Sequence, residues 1–90
     1  MEAAPAVLTL LGKPDCHLCH VMAEVARRAA AGLEAILVER DVREDPALYA
    51  LYGNHIPVLL LGAREVVRHR AKENELRTRL LAMGVRVHQG

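Results

Sequence analysis

The sequence predicts a small α/β domain: a four-stranded mixed sheet flanked by helices, with the element order β-α-β-α-β-β-α. Short runs of apolar, partly β-branched residues alternate with segments of helical periodicity. A helical segment separates the first two runs, which makes them parallel through a right-handed crossover. A tight turn separates the last two, which makes them antiparallel. Because 90 residues can bury only one core, residues 1–90 are expected to form a single domain.

The first half of the chain has a strand-helix-strand pattern. Val7–Leu11 is an apolar run closed by Gly12, which is typical of a buried strand. From Cys16 onward the apolar residues recur every three to four positions, which indicates a helix that ends near Gly32. Ile36–Val42 is the second predicted strand.

The second half begins with a short helix. Asp45 is a favourable N-cap and is followed by proline at the first helical position, so we predict a helix over Pro46–Tyr52. Pro57–Leu61 and Glu65–Arg68 are the third and fourth predicted strands. The last predicted helix covers Ala71–Met83.

Two further predictions concern the last helix and the tail that follows it. In the last helix, Glu73 with Arg77 and Glu75 with Arg79 have the i,i+4 spacing of favourable ion pairs. The tail from residue 85 to residue 88 is predicted to be either a fifth edge strand or frayed.

The composition restricts the class of function. The chain has no Trp, no Phe and no Ser, so its core must be aliphatic. Its 12 basic and 11 acidic side chains give a net charge of +1, which argues against nucleic acid or anionic lipid as a partner. No apolar run reaches the length of a membrane span, and the first eleven residues lack the basic start of an export signal. We therefore expect a cytoplasmic protein, and we also expect it to be a monomer.

Cys16 and Cys19 form a C-x-x-C motif where the first strand meets the first helix. The thiolate is the reactive form of cysteine, and the free N–H groups and partial positive charge of a helix N-terminus stabilise it. Cys16 gains most from this position, whereas Cys19, one turn into the helix, is expected to be less accessible. In a strand-helix-strand context this motif predicts a thioredoxin-like redox site, in which Cys16 attacks a disulfide and Cys19 resolves the mixed disulfide.

Other residues are predicted to line this site. Lys13 and His17 would add positive potential near Cys16, whereas Asp15 would oppose it. Ile56 and Pro57 open the third strand, where proline is tolerated at the first position.

The chain resembles the glutaredoxin family of the thioredoxin fold, and is most similar to small bacterial glutaredoxin-like proteins. The resemblance covers nearly the whole chain and depends on three stretches: 8–19, Asp41-Val42 and 56–59. It implies a thiol–disulfide oxidoreductase that reduces protein or small-molecule disulfides. It also implies that no cofactor is bound, with glutathione as a possible co-substrate, and that glutathione or a thioredoxin reductase-type protein is the reductant.

The same resemblance implies roles for individual residues. The proline at position 57 would be cis and would lie against the active-site disulfide, and the backbone of Ile56 would pair with a bound peptide or glutathione. Lys13 would contact a glutathione carboxylate. This chain departs from glutathione-using members at Leu18, where they carry an aromatic residue. It also departs over residues 67–72, where they carry a Gly-Gly pair and an aspartate. The usual glutathione contacts are therefore not all expected.

Other interpretations use the same cysteines, including an adaptor in which the pair is a passive redox switch and not a catalyst. With His17 or His20, they could ligate zinc or copper, or hold an iron–sulfur cluster shared between two chains, in a non-enzymatic binding module. Cys16 to His20 also matches the C-x-x-C-H signature of c-type haem attachment, with Met83 as a distal ligand. We expect haem less than a metal site, because haem attachment requires export and small cytochromes of this kind are mostly helical.

Overall fold

The computed structural model of the chain describes residues 4–89. Its elements in chain order are β1 (Ala6–Gly12), α1 (His17–Ala30), β2 (Ala35–Asp41), α2 (Pro46–Tyr52), β3 (Val58–Leu61), β4 (Arg64–Arg68) and α3 (Glu73–Ala82). The predicted order of elements is confirmed. Residues 1–3, which belong to the N-terminal segment that lacks the basic start of an export signal, lie outside the described residues, as does residue 90. Among the residues described, none of the helices has both the length and the apolar character that a bilayer span requires.

The four strands form one mixed sheet in the order β2-β1-β3-β4. β1 and β2 are parallel, whereas β1 with β3 and β3 with β4 are antiparallel. The parallel β1–β2 pair and the antiparallel β3–β4 pair are as predicted, because a helix connects the first pair and a tight turn connects the second; the pairing of β1 with β3 was not predicted. β1 and β3 are the central strands, so the loops that follow β1 and precede β3 meet at one end of the sheet.

Alternate residues of β1 point to the two faces of the sheet, and each face has its own core. Leu8 and Leu10 pack under α1 and α3, where buried alanines of α1 allow the helix to approach the sheet closely. Leu11 packs on the opposite face with Val58 and with residues of α2. The helices therefore flank the sheet on both sides, as predicted.

Several element boundaries differ from the prediction by one or two residues, and two of these differences have a local reason. β2 ends at Asp41 and not at Val42, because the Asp41 carboxylate accepts a hydrogen bond of 2.9 Å from the backbone N–H of Arg43 and starts a 3₁₀ turn over Val42–Glu44. α3 begins two residues later than Ala71. The chain before it turns through His69, whose φ is +68°, and reaches the helix in an extended conformation.

The two ion pairs predicted on α3 are absent from the described residues, so this prediction is wrong. Arg77 instead donates to the carbonyl oxygens of Ala29 and Ala31 at 3.2 and 2.5 Å, and Arg79 donates to Val66 O at 2.9 Å. Arg77 thus places its charge at the C-terminus of α1, where the helix dipole favours a cation.

The C-terminal tail is neither a full strand nor entirely frayed. It forms a single antiparallel bridge between Val87 and Leu33, and Val85 is buried.

Candidate redox site

Cys16 caps the N-terminus of α1, and Cys19 lies one turn into the helix. Cys16 has the extended conformation of an N-cap residue (φ −106°, ψ 106°), and its Sγ accepts a hydrogen bond of 3.2 Å from the backbone N–H of Cys19. The carbonyl of Cys16 accepts from the N–H of His20 at 3.2 Å. The two sulfurs are joined in a disulfide. The pair therefore has the proximity needed for reversible oxidation, and Cys16 has the polar surroundings that favour a thiolate.

The two cysteines differ in their exposure to solvent. Cys16 is partly exposed, whereas Cys19 is only 5% exposed and packs against the last residue of β1. A Cβ atom added at Gly12 would lie 2.9 Å from Cys19 Cβ and 3.0 Å from Cys19 Sγ. Gly12 is thus required for the close approach of β1 to the disulfide. From the sequence, Gly12 is identified only as the residue that ends the first strand. The local pattern does not show that Cys19 packs against it.

The loop between β1 and α1 is held to the helix at two points. The N–H of Cys16 donates to Lys13 O at 3.2 Å, which closes the turn. The ring of His20 lies 2.7 Å from Pro14 O, measured from Nε2. Because a carbonyl oxygen can only accept, Nε2 is the donor. The sequence indicates His20 only as a candidate metal or haem ligand, whereas in the structure its ring fixes the loop that leads to Cys16.

A pocket of about 170 Å³ lies behind the disulfide, between this loop and β2. Cys19, His20 and Asp41 are among its lining residues. A side-chain hydrogen bond from Arg43, supported by its backbone N–H, lowers the pKa of Asp41 to about 2. The Asp41 carboxylate is therefore ionised at neutral pH and is a poor proton acceptor.

Pro57 lies at the same end of the sheet as the disulfide. Leu11 pairs with Val58 across the β1–β3 ladder, so the next position places Pro57 beside Gly12. The Ile56–Pro57 peptide bond is cis, Pro57 is buried and Ile56 is half-buried. The carbonyl of Pro57 accepts a hydrogen bond of 2.8 Å from the N–H of His69, which follows β4.

Of the other residues predicted at the site, Lys13 and His17 are exposed on either side of Cys16 in the chain. Within residues 4–89, no group of three or more His, Cys, Asp or Glu side chains is arranged to hold a metal ion.

Comparison with known proteins agrees with this geometry. The family model for the glutaredoxin-like domain (DUF836) matches residues 7–81, which include the disulfide, the Ile56–Pro57 bond and most of α3. The chain belongs to this glutaredoxin-like family. A comparison with curated proteins gives no match.

Solved structures extend the agreement to the fold. The X-ray structure of XcR50 from X. campestris is 34% identical to this glutaredoxin-like protein, with a TM-score of 0.68 over 83% of this chain and 96% of that chain. The solution NMR structure of Ne2328 from Nitrosomonas europaea is 23% identical, with a TM-score of 0.66 over 79% of this chain and 86% of that one. The structure of a malarial protein is 14% identical and has a TM-score of 0.63, over 87% of this chain and 96% of that one. The last two structures show a likeness of fold alone. The chain described here has a thioredoxin-like α/β fold.

Proposed function

We propose that this glutaredoxin-like protein is a thiol–disulfide oxidoreductase that uses Cys16 as the nucleophile and Cys19 as the resolving thiol. One observation carries the proposal: Cys16, at the N-cap of α1, is the accessible member of a disulfide-bonded pair whose other member is buried. An attacking sulfur must reach a substrate disulfide and be ionised at neutral pH, and an N-cap position supplies both conditions.

The proposed reaction has two exchange steps. The Cys16 thiolate attacks one sulfur of the substrate disulfide, forms a mixed disulfide and releases the other substrate sulfur as a thiolate. Cys19 then loses its proton, attacks Cys16 Sγ and releases the second substrate thiolate, which leaves the Cys16–Cys19 disulfide. The substrate gains two electrons, the protein loses two, and the two released thiolates take up protons according to their pKa values. Two reductant thiols, from glutathione or a reductase, then restore the dithiol.

We assign roles in substrate binding to the residues around the disulfide. Lys13 and His17 are exposed beside Cys16, where a cation attracts a carboxylate of the substrate and stabilises a thiolate. The backbone of Ile56 lies before β3 at the same end of the sheet, where an extended substrate segment can pair with it. Pro57 would lie beside the substrate disulfide.

The test is a redox titration followed by a turnover assay. The purified protein is equilibrated in glutathione buffers of stepped poise, and its intact mass is measured at each step. We expect a reversible loss of two hydrogens in the wild type and no intramolecular disulfide in Cys16→Ser, together with reduction of 2-hydroxyethyl disulfide by the wild type alone.

The midpoint of the titration also identifies the reductant. A midpoint well below the cytosolic glutathione pool, which lies at about −220 to −320 mV, favours a thioredoxin reductase-type partner. A persistent glutathione adduct favours glutathione. A mass that never changes across the series, or a Cys16→Ser variant with full turnover, contradicts the proposal.

A further inference from the structure

A second concavity, larger than the pocket behind the disulfide, runs along α1 away from Cys16. This groove, between α1 and the β4–α3 loop, has a volume of about 450 Å³, within the range of about 300–1,000 Å³ that is usual for ligand sites. Leu18, Val21 and Val25 form its α1 wall, and residues 69–72 form much of the opposite wall. We name it the α1 groove.

The α1 wall is apolar and accessible. Leu18, Val21 and Val25 recur at helical spacing on one side of α1, and Val21 is 45% exposed. From Leu18 to Val25 this stripe is about 10 Å long, at 1.5 Å of rise per residue. An extended polypeptide covers that distance with about three residues.

The opposite wall carries more positive than negative charge. Arg70 and Lys72 line it together with one carboxylate, that of Glu75. The four ion pairs found within residues 4–89 involve other side chains, so Arg70 and Lys72 are not neutralised by a partner there.

Both walls of the α1 groove are continuous with the redox site. Leu18 lies between the two cysteines in the motif, and the N–H of His69 donates to the carbonyl of Pro57. A polypeptide whose disulfide lies at Cys16 can therefore extend directly into the groove.

We infer that the α1 groove binds the polypeptide next to a substrate disulfide, and that it selects a segment with an aliphatic side chain and a neighbouring acidic residue. The aliphatic side chain covers Val21, and the carboxylate lies near Arg70. Glutathione, γ-glutamyl-cysteinyl-glycine, has no aliphatic side chain to cover the stripe, so the chemistry of the groove favours a protein substrate. This inference rests on the proposed redox function and specifies its substrate class.

Three model peptides test it, each with one cysteine as its thiopyridyl mixed disulfide. The first carries Leu and Asp close to the cysteine, the second replaces Leu with Ser, and the third replaces Asp with Lys. Release of thiopyridone by the reduced protein gives the rate constant for each peptide. We expect the first peptide to react with a kcat/KM about tenfold higher than either of the others.

Variants of the groove test where this preference arises. For each variant, turnover of the Leu-Asp peptide is divided by turnover of 2-hydroxyethyl disulfide. In Val21→Asn this ratio is expected to fall about tenfold. In Arg70→Glu the order of the Asp and Lys peptides is expected to reverse. Leu81→Asn, which changes a side chain 40% exposed on α3, and Arg86→Glu in the tail are matched controls outside the groove. They are expected to leave both ratios unchanged.

The failure of this inference differs from the failure of the proposed function. Equal rates for all three peptides, or equal losses in the groove and control variants, contradict the α1 groove while reduction of 2-hydroxyethyl disulfide continues. If no disulfide is reduced at all, the proposed function fails. The groove is then tested by NMR titration of the oxidised protein with the Leu-Asp peptide carrying Ala in place of Cys. Shifts confined to the groove support the inference, and their absence contradicts it.

Discussion

Cys16 and Cys19 are separated by one turn of the same helix, yet they lie in two different regions of the molecule. Cys16 lies in the polar loop region, where hydrogen bonds from Cys16 and His20 to backbone carbonyls fix its position and leave its sulfur accessible. Cys19 lies in the core region, 5% exposed and packed against Gly12 of β1. Because the two side chains are chemically identical, the different surroundings of Cys16 and Cys19 must assign attack to one and resolution to the other.

Adding a single methyl group at Gly12 is expected to disturb the Cys19 region most. The new Cβ of Gly12→Ala would lie 2.9 Å from Cys19 Cβ, which has no flexible side chain with which to move away. Forced packing of this kind costs about 1–3 kcal/mol, so the free energy of unfolding falls by that amount and resolution by Cys19 becomes slower. Urea unfolding and stopped-flow resolution of a mixed disulfide measure the two effects.

The control for this change is Gly62→Ala. Gly62 has open space around its Cβ position but a φ of +59°, so this variant carries backbone strain without a clash. It is expected to lose stability and keep the rate of resolution. Equal resolution rates in Gly12→Ala and the wild type would show that the contact with Cys19 has no functional consequence.

Removing the His20 ring is expected to loosen the Cys16 region by a smaller amount. Its hydrogen bond to Pro14 O is worth about 0.5–1.5 kcal/mol. In His20→Ala the loop that leads to Cys16 is less firmly held, so Cys16 is less well positioned at the helix N-terminus that stabilises its thiolate. The rate of Cys16 alkylation by iodoacetamide is therefore expected to rise at a higher pH than in the wild type. His20→Gln, whose amide can also donate, should restore part of the original profile.

His88→Ala, which removes an exposed imidazole from the tail, serves as the control for the general effect of removing an imidazole ring. If the Gln variant behaves like the Ala variant, the hydrogen bond to Pro14 is not what positions Cys16.

Much of the fold was predictable because its signals are local. The apolar runs, the Asp45-Pro46 start of α2 and the turn between β3 and β4 each mark an element within a few residues, and α2 has the predicted bounds. The position of Cys16 at a helix start followed from the same signals. The connection types then determined which strands are parallel.

The parts that were not predicted depend on contacts between residues distant in sequence, or on competition between side chains and backbone. Arg77 binds carbonyls of α1, 46 and 48 positions away, and leaves its neighbour Glu73 unpaired within residues 4–89. The approach of Gly12 to Cys19 and the tie between His20 and Pro14 require the folded loop. The α1 groove requires the β4–α3 loop to lie across from α1, which no sequence pattern specifies.

The smallest expected effect concerns the carboxylate in the pocket behind Cys19. Arg43 lowers the pKa of Asp41 to about 2, compared with about 3.9 for an unfolded aspartate. A lowered pKa in the folded state means that the ionised carboxylate stabilises the protein above about pH 4 and that this contribution is lost as the pH falls toward 2. Asp41→Asn is therefore expected to reduce stability slightly at pH 7 and to approach the wild type between pH 4 and pH 2.

Urea unfolding across this pH range measures the difference, with Glu44→Gln as the control for loss of an exposed carboxylate from the same segment. A stability difference between Asp41→Asn and the wild type that stays constant from pH 7 to pH 2 would contradict the role given to the Arg43 pair.

The most direct test of the division between the two cysteines is a trapping experiment. Reduced Cys19→Ser and Cys16→Ser are each mixed with excess 2-hydroxyethyl disulfide, and the mass of the adduct is followed with time. We expect Cys19→Ser to form rapidly a single adduct on Cys16 that persists until a thiol is added, and Cys16→Ser to react at least about tenfold more slowly. Equal rates in the two variants, or faster reaction at Cys19, would contradict it.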